Sequence, residues 1–143
     1  MFRICTKDHD LLFAAGPGGF ICNVSSPGGQ SYHLSSSYGA GKAGLDRLGT
    51  GMAIELAPKG IACVTLYPGS VSTEFIVEAR GTSAAEMTTA QAPLAVGRCA
   101  AALATASDLM ERSGSIQWVE DLGQEFGIVD EFGRSPAAYA KRQ

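Results

Sequence analysis

A parallel α/β fold is predicted by three observations. Residues 61–66 are an apolar run without alternation, as expected of a parallel strand covered on both faces. Residues 20–25 form a second short apolar run that ends in hydroxyls. Between the two, apolar residues recur at helical spacing. Strand, helix and strand within about fifty residues form one right-handed βαβ unit.

Residues 1–18 lack clear periodicity. Leu11, Leu12, Phe13, Ala14 and Ala15 suit the tail of a helix closed by Gly16, with Pro17 and Gly18 in the turn. The first strand, 20–25, runs into a loop rich in Gly, Ser and Pro. Ser36 or Ser37 is placed to cap the next helix. Gly41, Leu45, Leu48, Met52 and Leu56 share one of its faces, and Pro58-Lys59-Gly60 ends it near Ala57. After the second strand, residues 74–92 are of mixed polarity and read either as a mobile lid or as an ordinary surface helix. Pro93 starts a further helix, with Leu94, Val96, Cys99, Ala100 and Leu103 as its apolar stripe up to about Ala106. Residues 115–119 read as a last strand, with Trp118 in the core. The polar tail, 120–143, is expected to be helical only in part.

The candidate catalytic residues are Ser26, Tyr38 and Lys42, in a Ser-x11-Tyr-x3-Lys spacing. Tyrosine and lysine four apart lie one turn apart on one helix face. A phenol is normally too weak an acid to exchange protons at neutral pH. A neighbouring ammonium favours the phenolate and makes a tyrosine a usable general acid or base. A serine at the end of the preceding strand can hydrogen-bond a carbonyl or alcohol oxygen. The trio suits carbonyl/alcohol interconversion with the hydride carried by a nicotinamide. Ser25 competes with Ser26 for the serine role. The plain readings are a packing aromatic, a solvated lysine and a serine that satisfies loop backbone. Tyr32 and His33 lie in the loop between serine and tyrosine. His33 reads first as a surface residue, and the alternative is that the pair lines a substrate entrance.

Composition narrows the classes. The chain of 143 residues suffices for one domain with a single core. A net charge of -3 with scattered Lys and Arg argues against nucleic acid and against an electrostatic membrane patch. Cys5, Cys22, Cys63 and Cys99 show no Cys-x2-Cys pairing, so no metal site and no disulfide framework is expected. Reduced, buried thiols fit them better. No apolar run has the length of a membrane span, and the first ten residues are too polar for a signal peptide. The expected location is the cytoplasm, or the cytosolic face of the endoplasmic reticulum. Asn23-Val24-Ser25 matches a glycosylation sequon but falls inside a strand expected to be buried.

Three blocks carry a family resemblance: Asn23-Val24-Ser25-Ser26 at a strand end, Tyr38-Gly39-Ala40-Gly41-Lys42 opening a helix, and Tyr67-Pro68-Gly69-Ser70-Val71-Ser72-Thr73 after the next apolar run. In this order and at these distances they resemble the short-chain dehydrogenase/reductase family. The likeness runs from about Gly19 to Arg134 and is clearest before Thr73. Ser25-Ser26-Pro27-Gly28 and the stretch 126–134 resemble one branch of that family. The resemblance implies a Rossmann-like, doubly wound parallel sheet, of which this chain holds the later strands and helices. It also implies an oxidoreductase that moves hydride between NAD(P)(H) and a small-molecule carbonyl or secondary alcohol. NADP is favoured over NAD, and the substrate implied is a lipophilic ketone or steroid-like compound.

Carried over residue by residue, the resemblance makes Ser26, Tyr38 and Lys42 catalytic, with Tyr38 and Lys42 also touching the cofactor. Pro68 and Gly69 would turn the chain under the nicotinamide. The backbone of Val71 and the hydroxyl of Thr73 would hold its carboxamide. The helix over 38–57 would be a homodimer surface. The family's Gly-x3-Gly-x-Gly turn, its Asn-Asn-Ala-Gly segment and an asparagine upstream of the serine have no counterpart here. Gly16-Pro17-Gly18-Gly19 is interrupted by proline and precedes a strand. Residues 1–143 are therefore expected to form a single incomplete dinucleotide-binding domain, its catalytic half. The alternative expectation is a catalytically inactive fragment or a gene-model truncation that acts, if at all, through dimerisation.

Overall fold

The computed structural model describes residues 17–139. Three parallel strands, β1 (Phe20–Val24), β2 (Ala62–Tyr67) and β3 (Ile116–Trp118), form a sheet in the order β1-β2-β3. Between β1 and β2 lies α1 (Ser36–Leu56), a helix of 21 residues. The short α2 (Glu74–Arg80), α3 (Pro93–Ala104) and one-turn α4 (Leu109–Arg112) lead into β3, and α5 (Val119–Glu125) follows it directly. The α/β class, the parallel sheet and the crossover helix are as the sequence predicts.

All six residues of β2 are buried, which is why this strand lacks alternation. Its two faces meet different layers. Ala62, Val64 and Leu66 join Cys99 and Leu103 of α3 with Leu109, Val119 and Leu122 in the main apolar cluster. Thr65, on the opposite face, meets α1: a Cβ on Gly49 would lie 2.6 Å from Thr65 Oγ1 and 2.9 Å from Asn23 Nδ2. Side chains alternate across a strand, so one strand serves both layers.

Several details differ from expectation. Ser35, rather than Ser36 or Ser37, caps α1, its Oγ accepting the Tyr38 N–H at 3.2 Å. The buried residues of α1 are Gly49 and Ala53, while Leu48 is 41% exposed and Gly41 is exposed. The helix packs too close to the sheet for a leucine there, so small residues face inward. In α3 the buried positions are Ala95, Cys99 and Leu103, and Leu94 points outward at 44% exposure. Trp118 is half-buried, wedged between Tyr67 at 5.3 Å and Tyr139 at 5.9 Å between ring centroids. In the span 74–92 the first part is the exposed surface helix α2, and Met87, Ala90, Gln91 and Ala92 are buried. The expected helix tail at 11–15, and Cys5, lie outside the described residues. Cys22, Cys63 and Cys99 are free thiols. Among the described residues, no helix is long and apolar enough to cross a membrane.

Candidate active site

Parallel pairing places the ends of β1 and β2 at one edge. Val24 stands opposite Leu66, and the Ser25 N–H donates to the Leu66 carbonyl at 2.9 Å. Ser26 and Pro68 therefore emerge side by side at the carboxyl edge, where open α/β sheets place their ligand sites. A helix returning from β1 to β2 begins at that same edge, which brings Tyr38 and Lys42 of α1 to it.

The two serines take different parts. Ser25 is buried, and its Oγ donates to the Lys42 carbonyl at 3.3 Å. Ser26 is half-buried and caps a 3₁₀ turn, Pro27–Gly29, its Oγ accepting the Gly28 N–H at 3.1 Å. That bond leaves the Ser26 hydroxyl hydrogen available for donation. The turn lies directly on α1. A Cβ on Gly28 would stand 2.7 Å from Tyr38 Cε1, and one on Gly29 would stand 2.6 Å from Asp46 Oδ2 and 2.8 Å from the Ala43 nitrogen. Only glycine allows this approach.

Tyr38 is half-buried, in the first turn of α1, with the Lys42 ammonium 5.8 Å from its ring centroid. Lys42 Nζ donates to the Val24 carbonyl at 3.2 Å, which holds the cation at the strand end beside the serines. The His33 ring lies 6.1 Å from that of Tyr38, while Tyr32 is 82% exposed. Ser26, Tyr38 and Lys42 are thus gathered around one turn.

The second group follows β2. Pro68 is buried, and the Gly69 N–H donates to Gln91 Oε1 at 3.1 Å. Val71 forms a parallel bridge with Gln91 in which the Gln91 N–H bonds the Ser70 carbonyl and the Ser72 N–H bonds the Gln91 carbonyl. This pattern directs the N–H and C=O of Val71 to the other side, and neither has a hydrogen-bond partner among the described residues. Thr73 precedes α2 without using its hydroxyl as a cap. One free donor, one free acceptor and one free hydroxyl in three residues match the needs of a primary carboxamide.

Some residues at this edge carry no sequence motif. Asp46, one turn beyond Lys42, accepts the buried Tyr67 hydroxyl at 2.5 Å, and its Oδ1 is buried without a partner. Burial, and then the hydrogen bond and charge of Asp46, push the Tyr67 phenol well above its usual range. Gln91 also had no flag beyond its place two residues before Pro93. Burial raises Cys22 to about 11, with the Cys63 thiol adding to it, and burial alone raises Cys99 to about 11. Among the described residues no group of His, Cys, Asp or Glu is arranged to hold a metal ion.

Residues 1–85 match the model of the short chain dehydrogenase family. The dehydrogenase/reductase SDR family member 1 of Mus musculus is 34% identical over 140 residues, covering 90% of this chain and 44% of the mouse protein. Its Homo sapiens counterpart is 33% identical over the same shares. The chain thus spans about half the length of the curated relatives it matches. Among solved structures, 4-hydroxyisoleucine dehydrogenase complexed with NADH superposes with a TM-score of 0.61 at 21% identity, covering 78% of this chain and 49% of that one. ElxO with NADP bound gives 0.60 at 23%, covering 78% and 48%. These two likenesses show the fold. On the family match over more than half of its residues, the chain belongs to the short chain dehydrogenase family.

Proposed function

We propose that this chain carries the catalytic half of an NAD(P)-dependent oxidoreductase that interconverts a carbonyl compound and a secondary alcohol. The observation that carries the reading is the packing of the Ser26 turn against Tyr38, with Lys42 tied to the end of β1. When bound, a nicotinamide cofactor supplies or accepts the hydride at the carbon. In the reducing direction Tyr38 gives its phenolic proton to the carbonyl oxygen, and in the oxidising direction the phenolate takes the alcohol proton. Lys42 would stabilise that phenolate by its charge and would also bind the ribose hydroxyls. Ser26, whose oxygen already accepts from Gly28, donates its O–H to the substrate oxygen and orients it. Pro68 and Gly69 would lie against the nicotinamide, and Val71 and Thr73 would hold its carboxamide. Solved relatives of the same fold bind NADH or NADP, which supports a nicotinamide dinucleotide. NADP is favoured by the family resemblance, and the substrate class by the same route is a lipophilic ketone.

The test is nicotinamide absorbance with NADPH and NADH over a panel of lipophilic ketones, for the wild type and Tyr38→Phe. Loss of one hydroxyl is expected to lower kcat by about 10²-fold or more while cofactor affinity stays within about twofold. Retained turnover in Tyr38→Phe would refute the proton-transfer role.

A second reading is favoured by the outer surface of α1, where Ile54 is 71% exposed and Leu48 41%. On it, the chain is an inactive fragment that pairs through the helix over residues 38–57. Sedimentation velocity separates the readings: a dimer without nicotinamide turnover supports the second, and turnover excludes it.

A further inference from the structure

Gln91 is a fully buried polar side chain, 2% exposed, to which the proposed chemistry gives no role. Both ends of its amide are engaged, and with different parts of the chain. Oε1 accepts the Gly69 N–H at 3.1 Å, and Nε2 donates to the Ala137 carbonyl at 2.8 Å. Its main chain is bonded to the same loop: its N–H to the Ser70 carbonyl at 2.7 Å, its carbonyl from the Ser72 N–H at 2.9 Å. The C-terminal segment that it reaches is pinned at three more points. Pro136 packs on Gly123, where a Cβ would lie 2.5 Å from its Cδ. The Tyr139 N–H donates to Glu120 Oε2 at 2.5 Å, and the Tyr139 ring stacks on Trp118 at 28° between planes. Gly69 lies where these parts meet: a Cβ on it would be 3.2 Å from Gln91 Nε2 and 3.6 Å from Tyr139 Cβ.

A turn whose N–H faces the interior leaves a costly vacancy unless a partner arrives. Glutamine suits the place because one end accepts and the other donates. An apolar residue of similar size would leave the half-buried Gly69 N–H and Ala137 carbonyl without this partner. We propose that Gln91 is a positioning residue, a latch that ties residues 136–139 to the Pro68-Gly69 turn. The C-terminal segment then fixes the wall that receives the nicotinamide, and this last step rests on the reading of that turn given above.

The test perturbs one end of the latch and reads the other. Amide exchange at Gly69 is followed by NMR, with the Val64 amide in β2 as the reference for global opening. Tyr139→Ala, which removes no hydrogen bond to the turn, is expected to speed Gly69 exchange roughly tenfold relative to Val64. In Gln91→Met, Gly69 is already fast, and adding Tyr139→Ala changes it by less than about twofold. Gln91→Glu keeps the acceptor for Gly69 but loses the donor to Ala137, so Gly69 stays protected and insensitive to Tyr139→Ala. Tyr139→Leu, which keeps apolar bulk, replaces the alanine variant if that one unfolds. A Gly69 response below about twofold in a folded Tyr139 variant overturns the latch. NADPH titration is run alongside, and Kd is expected to rise in step with Gly69 exchange. Gly69 exchange that rises while NADPH affinity stays unchanged overturns the link to the wall. A wild type that binds no NADPH refutes the assignment of the turn to the nicotinamide, while the exchange data still decide the latch.

Discussion

Gly49→Ala tests how α1 is seated. The added Cβ would lie 2.6 Å from Thr65 Oγ1 and 2.9 Å from Asn23 Nδ2. Thr65 is 3% exposed in the central strand, so it cannot swing away, and the helix must move out. Overpacking of this kind costs about 1–3 kcal/mol. Alanine in a helix interior returns about 0.8–1.0 kcal/mol of that. The net expectation is a loss of about 1 kcal/mol. Gly44, in the same helix, is exposed and would place its Cβ with nothing within 4 Å. Gly44→Ala therefore shows the propensity gain alone, a stabilisation of about 1 kcal/mol. Urea unfolding followed by circular dichroism should separate the two variants by about 2 kcal/mol. Thr65→Ala removes the obstructing oxygen, so the pair Gly49→Ala/Thr65→Ala should be more stable than the sum of its parts by about 1 kcal/mol. If Gly49→Ala stabilises as much as Gly44→Ala, the helix does not rest against Thr65.

Two further outcomes follow from the site and the core. Gly28→Ala puts a Cβ 2.7 Å from Tyr38 Cε1, the outer end of a movable ring, so the ring shifts. On the proposed function, turnover is expected to fall about tenfold or more with a stability loss below about 1 kcal/mol, and unchanged kcat would show that the ring position is immaterial. Cys22 and Cys99 titrate in the folded chain near 11, above the usual thiol range because burial disfavours the thiolate. A raised folded value contributes stability that is complete below the unfolded thiol pKa and is lost as pH rises through the folded one. Stability should therefore decline from about pH 8.5 to 11, a decline that Cys99→Ser would lessen. Site-resolved alkylation at pH 8 should leave Cys99 unlabelled until the chain unfolds, and rapid labelling of the folded protein would contradict its burial.

Much of this fold was legible because strong local signals agree with the tertiary structure. The unbroken apolar run before Tyr67 is a strand buried on both faces, and Pro93 opens α3 as its fixed φ favours. The positions of Ser26, Tyr38 and Lys42 are legible for the same reason: serine at a strand end and tyrosine and lysine in the first turns of a helix are local patterns. What failed was the helix face. Periodicity turns Leu48 inward, but α1 sits so close to β2 that Gly49 and Ala53 occupy the contact, and periodicity alone cannot report that distance. Gln91 and Asp46 were missed because their roles depend on partners 46 and 21 residues away. No local pattern announces such a pair. A buried polar side chain is recognised by what it satisfies, and that appears only once the chain is folded.

The Asp46–Tyr67 pair shows what such a contact is worth. Tyr67 has no exposed surface, and its hydroxyl meets Asp46 Oδ2 at 2.5 Å, while Oδ1 is buried and unpartnered. A carboxylate with half its capacity unmet is a poor source of stability but a demanding partner, since removing the phenol takes the hydrogen bond from Oδ2 beside an Oδ1 that is already buried without one. Tyr67→Phe should then cost about 2–3 kcal/mol, the upper range for stranding a charged group. Asp46→Ala removes one of the hydroxyl's two side-chain partners, the other being Gln30, and should cost about 1 kcal/mol. Asp46→Ala/Tyr67→Phe strands nothing and should cost less than Tyr67→Phe alone. Urea denaturation of the four proteins measures the coupling. A double variant that costs the sum of its parts would mean that Asp46 reaches solvent without Tyr67, and that the bond joining α1 to β2 is incidental. If the double variant is stable yet loses turnover, the pair serves placement, because Asp46 follows Lys42 by one turn and Tyr67 precedes Pro68 directly. The same bond then sets the spacing between the helix residues proposed for proton transfer and the turn proposed to hold the nicotinamide.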